Sequence, residues 1–307
     1  MKDKMRIDYR KNEKIALQKT SHAFKKITTY GFLAIMALIV IIPFYWMLNV
    51  SLQSNNEVLS SISVSFYPKK FSPENYYNVF VYSTESGGNI TFSRFLFNTV
   101  VVGFFSTLGG TLFSILVAFA LARLNFKGRE LIFSLLLATM MIPGEMMVIS
   151  NYLTVARLGW RGDEGMGSYL AMIIPFLVSI FHIYLLRQNF KQIPNELYYA
   201  AKVDGASDWK YLWKVMVPMA KSSIITITIL KIMGSWNAYI WPDLVAHRKY
   251  KLITTWLRSS FVDEVSGRAL MNYQMAATVI VTVPLLLIFI LFRKYIMSGV
   301  SRSGVKG

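Results

Sequence analysis

The chain has 307 residues, of which 54% are hydrophobic and 16% charged, and it has no cysteine. So small a charged fraction with long apolar runs excludes an ordinary soluble domain, which carries about a quarter charged residues; the missing cysteine excludes a disulfide framework, thiolate catalysis and a cysteine-held zinc. The net charge of +17 would indicate nucleic acid in a soluble protein, but in an apolar chain it indicates loops held on one side of a membrane, and no nucleic-acid partner is expected.

Residues 1–27 are polar and basic, too long and too charged for a signal peptide, and read as a cytoplasmic lead-in helix or loose tail. The first span runs from Thr28 to Val50, long enough to cross a core of about 30 Å. Residues 51–94 form an external segment punctuated by Pro68, Pro73 and Gly87-Gly88. The second span, Phe95 to Ala122, carries small residues four apart at Ser106, Gly110, Ser114, Ala118 and Ala122. Such a stripe lets another helix approach closely, within the chain or across a subunit interface. Arg123, Lys127 and Arg129 mark an inside turn. The third span, Leu131 to Leu153, is interrupted at Pro143-Gly144, with Glu145 directly after the break at or near membrane depth. The fourth runs from Ser168 to Leu186, the fifth from Ser222 to Ile240 and the sixth from Tyr273 to Phe292. The fold class expected is all-α, a polytopic membrane protein with six transmembrane helices. Its domains are a basic segment at 1–27, a six-span unit at 28–297 and a cytoplasmic tail at 298–307.

Between the fourth and fifth spans, residues 194–218 are polar yet helically periodic. Leu197, Ala200, Ala201 and Asp204 fall near one helix face. Gly205, lacking a Cβ, permits a sharp change of direction, and Ser207 and Asp208 can cap a second helix. That helix places Trp209, Leu212, Trp213 and Met216 on one side, to pack against the spans, with Lys210 and Lys214 opposite. Pro218 favours a break. Pattern alone leaves two readings: an amphipathic pair lying on the bilayer surface, or a docking surface for a partner.

Six spans put both termini on one side, and 22 of the 33 Lys and Arg residues lie in segments on that side against 10 on the other. This bias places both termini and the 187–221 loop in the cytoplasm of a multi-pass cell-membrane protein.

Four residues are candidates for a translocation path. Lys231 sits about ten residues into the fifth span, near the midplane, where a charge is costly unless it faces a cavity or an acidic partner such as Glu145. Trp236 offers an aromatic face and Asn237 an amide for a sugar's hydroxyls; helix–helix hydrogen bonding is the other reading of Asn237, and an interfacial belt that of Trp241. His182 has no second ligand at metal spacing and reads as a packing histidine; no metal site is expected.

The string Ala200-Ala201-x-x-Asp204-Gly205-Ala206 followed by Val217-Pro218 resembles the EAA loop of ATP-binding-cassette (ABC) importer permeases. It departs from that pattern at Tyr199, where the family has glutamate; Glu196 is out of register. Asn98-Thr-Val100, Ala118 to Gly128, Met141 to Glu145, Arg187 to Phe190, Ile193-Pro194, Ser235-Trp236-Asn237, Trp241-Pro242 and the final Gly304-Val305-Lys306-Gly307 are similar to the carbohydrate branch of these permeases, and the resemblance runs from residue 28 to 307. It implies the type I importer fold, with Tyr199, Ala200, Ala201, Asp204, Gly205, Ala206 and Pro218 in a cytoplasmic coupling helix docked on an ATPase. It implies that the tail Gly304, Val305, Lys306 and Gly307 also reaches that ATPase. The partners implied are a second homologous permease subunit, two ABC ATPase subunits and an extracytoplasmic sugar-binding protein, with lipid around the spans. The solute implied is a sugar, an oligosaccharide by branch.

The chain has no glycine-rich loop ending in Lys-Ser/Thr; ATP and magnesium would be bound by the partner ATPase, and no cofactor is expected here. An intramembrane enzyme would need paired carboxylates, a Ser–Lys dyad or a metal triad, and only Glu145 and Lys231 lie at suitable depth. A gradient-driven carrier would show inverted repeats and more buried carboxylates. A permease for a non-sugar solute is the remaining alternative.

Overall fold

The computed structural model describes the backbone except at residues 1, 61–64, 87–89, 260, 264–266 and 302–307, and side chains from residue 25 onward except at 60–64, 82–89, 145, 259, 260, 264–266 and 295–307. The described residues are mostly helical, with one isolated antiparallel bridge, Val262 to Ala269. In chain order the helices are α1 (Lys2–Ser51), α2 (Asn55–Ser60), α3 (Asn75–Ser86), α4 (Phe92–Arg123), α5 (Arg129–Thr139), α6 (Met147–Arg157), α7 (Met166–Ile173), α8 (Ile180–Lys191), α9 (Asn195–Val203), α10 (Asp208–Tyr211), α11 (Val217–Met219), α12 (Lys221–Trp236), α13 (Ile240–Val245), α14 (Ile253–Ser259) and α15 (Met271–Ser301).

Helix α4 is the axis. Its 32 residues span about 48 Å at 1.5 Å per residue, and α8 and α12 pack along it. The small-residue stripe faces these neighbours: Ser106, Gly110, Ser114, Ala118 and Ala122 are all buried. A Cβ at Gly110 would lie 2.9 Å from the Leu177 carbonyl oxygen, so only hydrogen fits at that crossing. The packing within the chain uses this stripe up. The opposite face of α4, with Phe104, Leu108 and Leu112, stays exposed, as does nearly all of α1 from residue 25 onward.

Among the described residues three helices are long and apolar enough to cross a membrane: Lys25–Ser51, Phe92–Arg123 and Met271–Lys294. Two bent pairs, Met166–Phe176 with Ile180–Lys191 at 47° and Asp208–Met219 with Lys221–Trp236 at 81°, raise the number to as many as five if each pair is one span. The expected third span is not among them. The chain leaves the helix after Thr139, turns through Pro143 and a 3₁₀ segment, Gly144–Met146, and restarts at Met147. Each half has 11 residues, about 16 Å of helix, roughly half a hydrocarbon core.

The core divides along α4. One cluster gathers Phe119, Phe190, Tyr211, Leu212, Met216 and Ile227 at its C-terminal end. Another collects Phe95, Trp256, Phe261 and Tyr273 at its N-terminal end. At that second end the Asn98 amide donates to the Lys249 and Lys251 carbonyls at 2.9 and 3.1 Å, and the Tyr169 hydroxyl donates to the Asn98 side-chain oxygen at 2.7 Å.

Candidate functional site

The 194–218 stretch folds as the sequence indicates in its first half. Helix α9 buries none of its residues. It ends in a Schellman turn: Gly205 N–H donates to the Lys202 carbonyl at 3.1 Å, Ala206 N–H to the Ala201 carbonyl at 2.8 Å, and Gly205 takes φ of +71°. L-residues disfavour that φ, and a Cβ there would meet open space, so the demand for glycine is conformational. The Ser207 hydroxyl accepts from Lys210 N–H at 3.2 Å and caps α10. Asp208 clamps the turn: Tyr198 donates to it at 2.7 Å and Lys202 pairs with it at 2.8 Å. The Lys202 and Tyr198 hydrogen bonds hold the Asp208 carboxyl below its ordinary pKa.

The exposed side of this pair carries Tyr199, at 64% exposure, with Ala200, Val203, Asp204 and Gly205. Ala201 and Tyr198 turn inward, and the Tyr198 ring meets Tyr211 edge-on at 5.0 Å. Ala206 is half-buried.

The second half departs from expectation. Trp209 is 60% exposed, and Tyr211 takes its place against the spans beside Leu212 and Met216. A π-helical turn, Leu212–Met216, follows directly and shifts the register of every side chain after it. The helix also does not break at Pro218: α11 runs to Met219, and the 81° bend falls at Ala220. The widened turn accommodates a residue that has no N–H to give and whose ring crowds the preceding turn; Pro218 itself is exposed.

Two arginines, read in the sequence as topology markers and within the family-like strings but given no packing role, anchor this region. Arg123, 8% exposed at the end of α4, donates to the Asn195 side chain and to the carbonyls of Phe190 and Ile193. It thereby joins the end of α8 to the start of α9. Arg187, 2% exposed, donates from Nε to the Leu121 carbonyl at 3.0 Å and pairs with Glu130 at 2.7 Å, its guanidinium 3.7 Å from the Phe133 ring centroid. Desolvation raises the Glu130 pKa, but the hydrogen bond from Arg187 and the charges of Arg187, Lys191 and Arg129 bring it below its ordinary value.

The residues expected along a translocation path do not share one site. Lys231, 8% exposed, lines a cavity of about 460 Å³ with Ser106, Ser179, His182, Tyr239 and Trp241. Trp236 lines a separate apolar groove of about 570 Å³ between α4 and α12, and its indole donates to the Val281 carbonyl at 3.3 Å. The Asn237 amide is exposed and donates back to the Met233 carbonyl at 3.0 Å, within its own helix. Trp241 is not an interfacial anchor: it is buried, its indole donating to the Ala171 carbonyl at 3.0 Å. His182 is paired with the Ser179 hydroxyl at 2.6 Å. The Glu145 side chain and the tail Gly304, Val305, Lys306 and Gly307 lie outside the described residues.

Residues 110–302 match the family described as binding-protein-dependent transport system inner membrane component. The chain is 32% identical over 280 residues to the arabinooligosaccharides transport system permease protein AraQ of Bacillus subtilis (strain 168), covering 90% of this chain and 94% of that protein. It is 26% identical over 263 residues to the sn-glycerol-3-phosphate transport system permease protein UgpE of Brucella abortus (strain 2308), covering 85% of this chain and 91% of that one. A crystal structure of a bacterial ABC transporter involved in the import of the acidic polysaccharide alginate superposes with a TM-score of 0.72 at 23% identity over 90% of this chain and 97% of that chain, a likeness of fold. A mostly helical chain with apolar spans, built around one long axial helix, thus belongs to the family of binding-protein-dependent transport system inner membrane components.

Proposed function

We propose that the chain is one half of the membrane-spanning core of an ABC importer for a sugar, an oligosaccharide by the named solute of its Bacillus relative. The observation that carries the mechanism is the α9–Gly205–α10 pair, which leaves Tyr199, Ala200 and Val203 unpacked while Arg123, Asp208 and Tyr211 fix its base. An exposed apolar knob on a rigid mount suits a groove on a cytoplasmic ATPase better than a bilayer surface, where a broad continuous apolar face is needed. Tyr199 brings an aromatic contact where the family's glutamate would bring charge.

Two ATPases bind ATP and magnesium; their closure moves the docked knobs. Differential affinity of the groove for the two states supplies the bias. The load reaches α12 through the 81° bend at Ala220 and α4 through Arg123. The second homologous permease subunit covers apolar faces this chain leaves open, and an extracytoplasmic binding protein delivers the solute at the Asn98 end. The α5–α6 pair completes six spans, with both termini cytoplasmic. The Brucella relative's name favours a second reading, a phosphorylated polyol as solute.

Gly205→Asp tests the docking. The added side chain meets open space within the chain, and the left-handed φ costs about 1 kcal/mol, so the subunit should still fold and insert. ATPase co-purification and ATP-dependent uptake should both be lost. Undiminished uptake by this variant would sink the reading.

A further inference from the structure

The cavity beside Lys231 has a chemical character that the importer reading leaves unused. It lies among α4, α7, α8, α12 and α13. Counting ten residues from the start of α12 puts Lys231 about 15 Å along that helix, near mid-membrane. The hydroxyls of Ser106, Ser179 and Ser235 and the aromatic rings of Phe176, Tyr239 and Trp241 share its wall. Hydroxyls and flat rings in this mixture suit a saccharide, and about 460 Å³ falls in the range of small-ligand sites. Phe176 and Val178, 46% and 55% exposed, leave one side open.

Lys231 is the one lysine, arginine, aspartate or glutamate in this lining. It is more than nine-tenths buried, and among the described residues it has no ion-pair partner and no hydrogen bond. His182, also in the lining, is paired with Ser179. The stem lies against Gly110, where the amino group would sit 2.3 Å from an added Cβ. A side chain of any size at position 110 would displace it, so the glycine gives the amino group its room. An unpaired cation at membrane depth is costly to keep unless something anionic joins it.

We propose that this cavity is a transit site for a solute carrying a negative group, a carboxylate or a phosphate, which pairs with Lys231 while the sugar ring meets the aromatic wall. The substrate class is then an acidic or phosphorylated saccharide. This rests on the importer reading and narrows it.

The test uses the complete transporter, with both permeases, the ATPases and the binding protein, in proteoliposomes. The probes are trigalacturonate, its methyl ester (the same backbone without charge) and glucose 6-phosphate. The wild type should take up at least one charged probe. Lys231→Met should lower that uptake tenfold or more and change methyl-ester uptake less than twofold, and Lys231→Arg should restore most of it. Trigalacturonate and glucose 6-phosphate tell carboxylate from phosphate. Equal loss for charged and neutral probes would mean that Lys231 pairs with a protein carboxylate such as Glu145, and would overturn the proposal. So would uptake of the neutral ester alone by the wild type, which leaves the importer reading intact. If the chain retains no ATPase at all, the importer reading itself fails.

Discussion

Single side chains decide how the exposed knob is held. Arg123 spends its donors on two carbonyls and one amide at the α8–α9 junction, a fixed fork that lysine could not reproduce. Arg187 does the same for the α4–α5 corner through Leu121 and Glu130. Asp208 is the titratable member of the clamp within the knob itself, its side chain 42% exposed. Its pKa is depressed by Lys202 first and Tyr198 second. A carboxyl depressed in the folded state contributes stability above its unfolded pKa, about 3.9, and loses it as pH falls through the folded value. The protection factors of the amides across residues 198–211, each rate taken against its intrinsic rate at the same pH, should therefore stay constant from pH 7 to 5 and fall below about pH 4. Asp208→Asn should show the lowered protection throughout; unchanged protection in that variant would remove the clamp from the account.

At the scale of elements, the crossing of α4 with its neighbours depends on one glycine. A Cβ at Gly110 meets the Lys231 amino group at 2.3 Å and the Leu177 carbonyl oxygen at 2.9 Å. The amino group can swing aside, but a backbone carbonyl cannot without moving the turn before α8. Gly110→Ala should cost about 1–3 kcal/mol as an overpacked site, read as a lower thermal unfolding midpoint in detergent. Gly103→Ala is the control, since its nearest neighbour is 3.9 Å away and alanine favours helix. The presence of the helices was legible in composition: each long span is an apolar run whose fate is set by about 20 local residues. The register inside residues 194–218 was not. Trp209 faces outward and Tyr211 inward, and directly after them a π-turn inserts one residue into the helical period, which no count at 3.6 residues per turn registers.

For the whole molecule, the charge bias makes a directional prediction. The native chain has no cysteine, so single cysteines report sidedness without background. Lys210→Cys, exposed on α10, should resist an impermeant maleimide in intact cells and react in inverted vesicles; Lys70→Cys, exposed at the other end, should do the reverse. Labelling of Lys210→Cys from outside would invert the topology and detach the loop from any cytoplasmic ATPase.

The sequence by itself determined the membrane class, the place of each long apolar run, the left-handed turn at Gly205 and the cap at Ser207. These are outcomes of hydropathy, missing Cβ atoms and short-range hydrogen bonds, all settled within one or two helical turns. Only the tertiary structure decided what Arg123 holds, why position 110 must be glycine, and that Lys231 and Trp236 open onto different cavities. Those depend on partners 60 to 120 residues away in the chain, brought together by packing along α4 that no local pattern encodes.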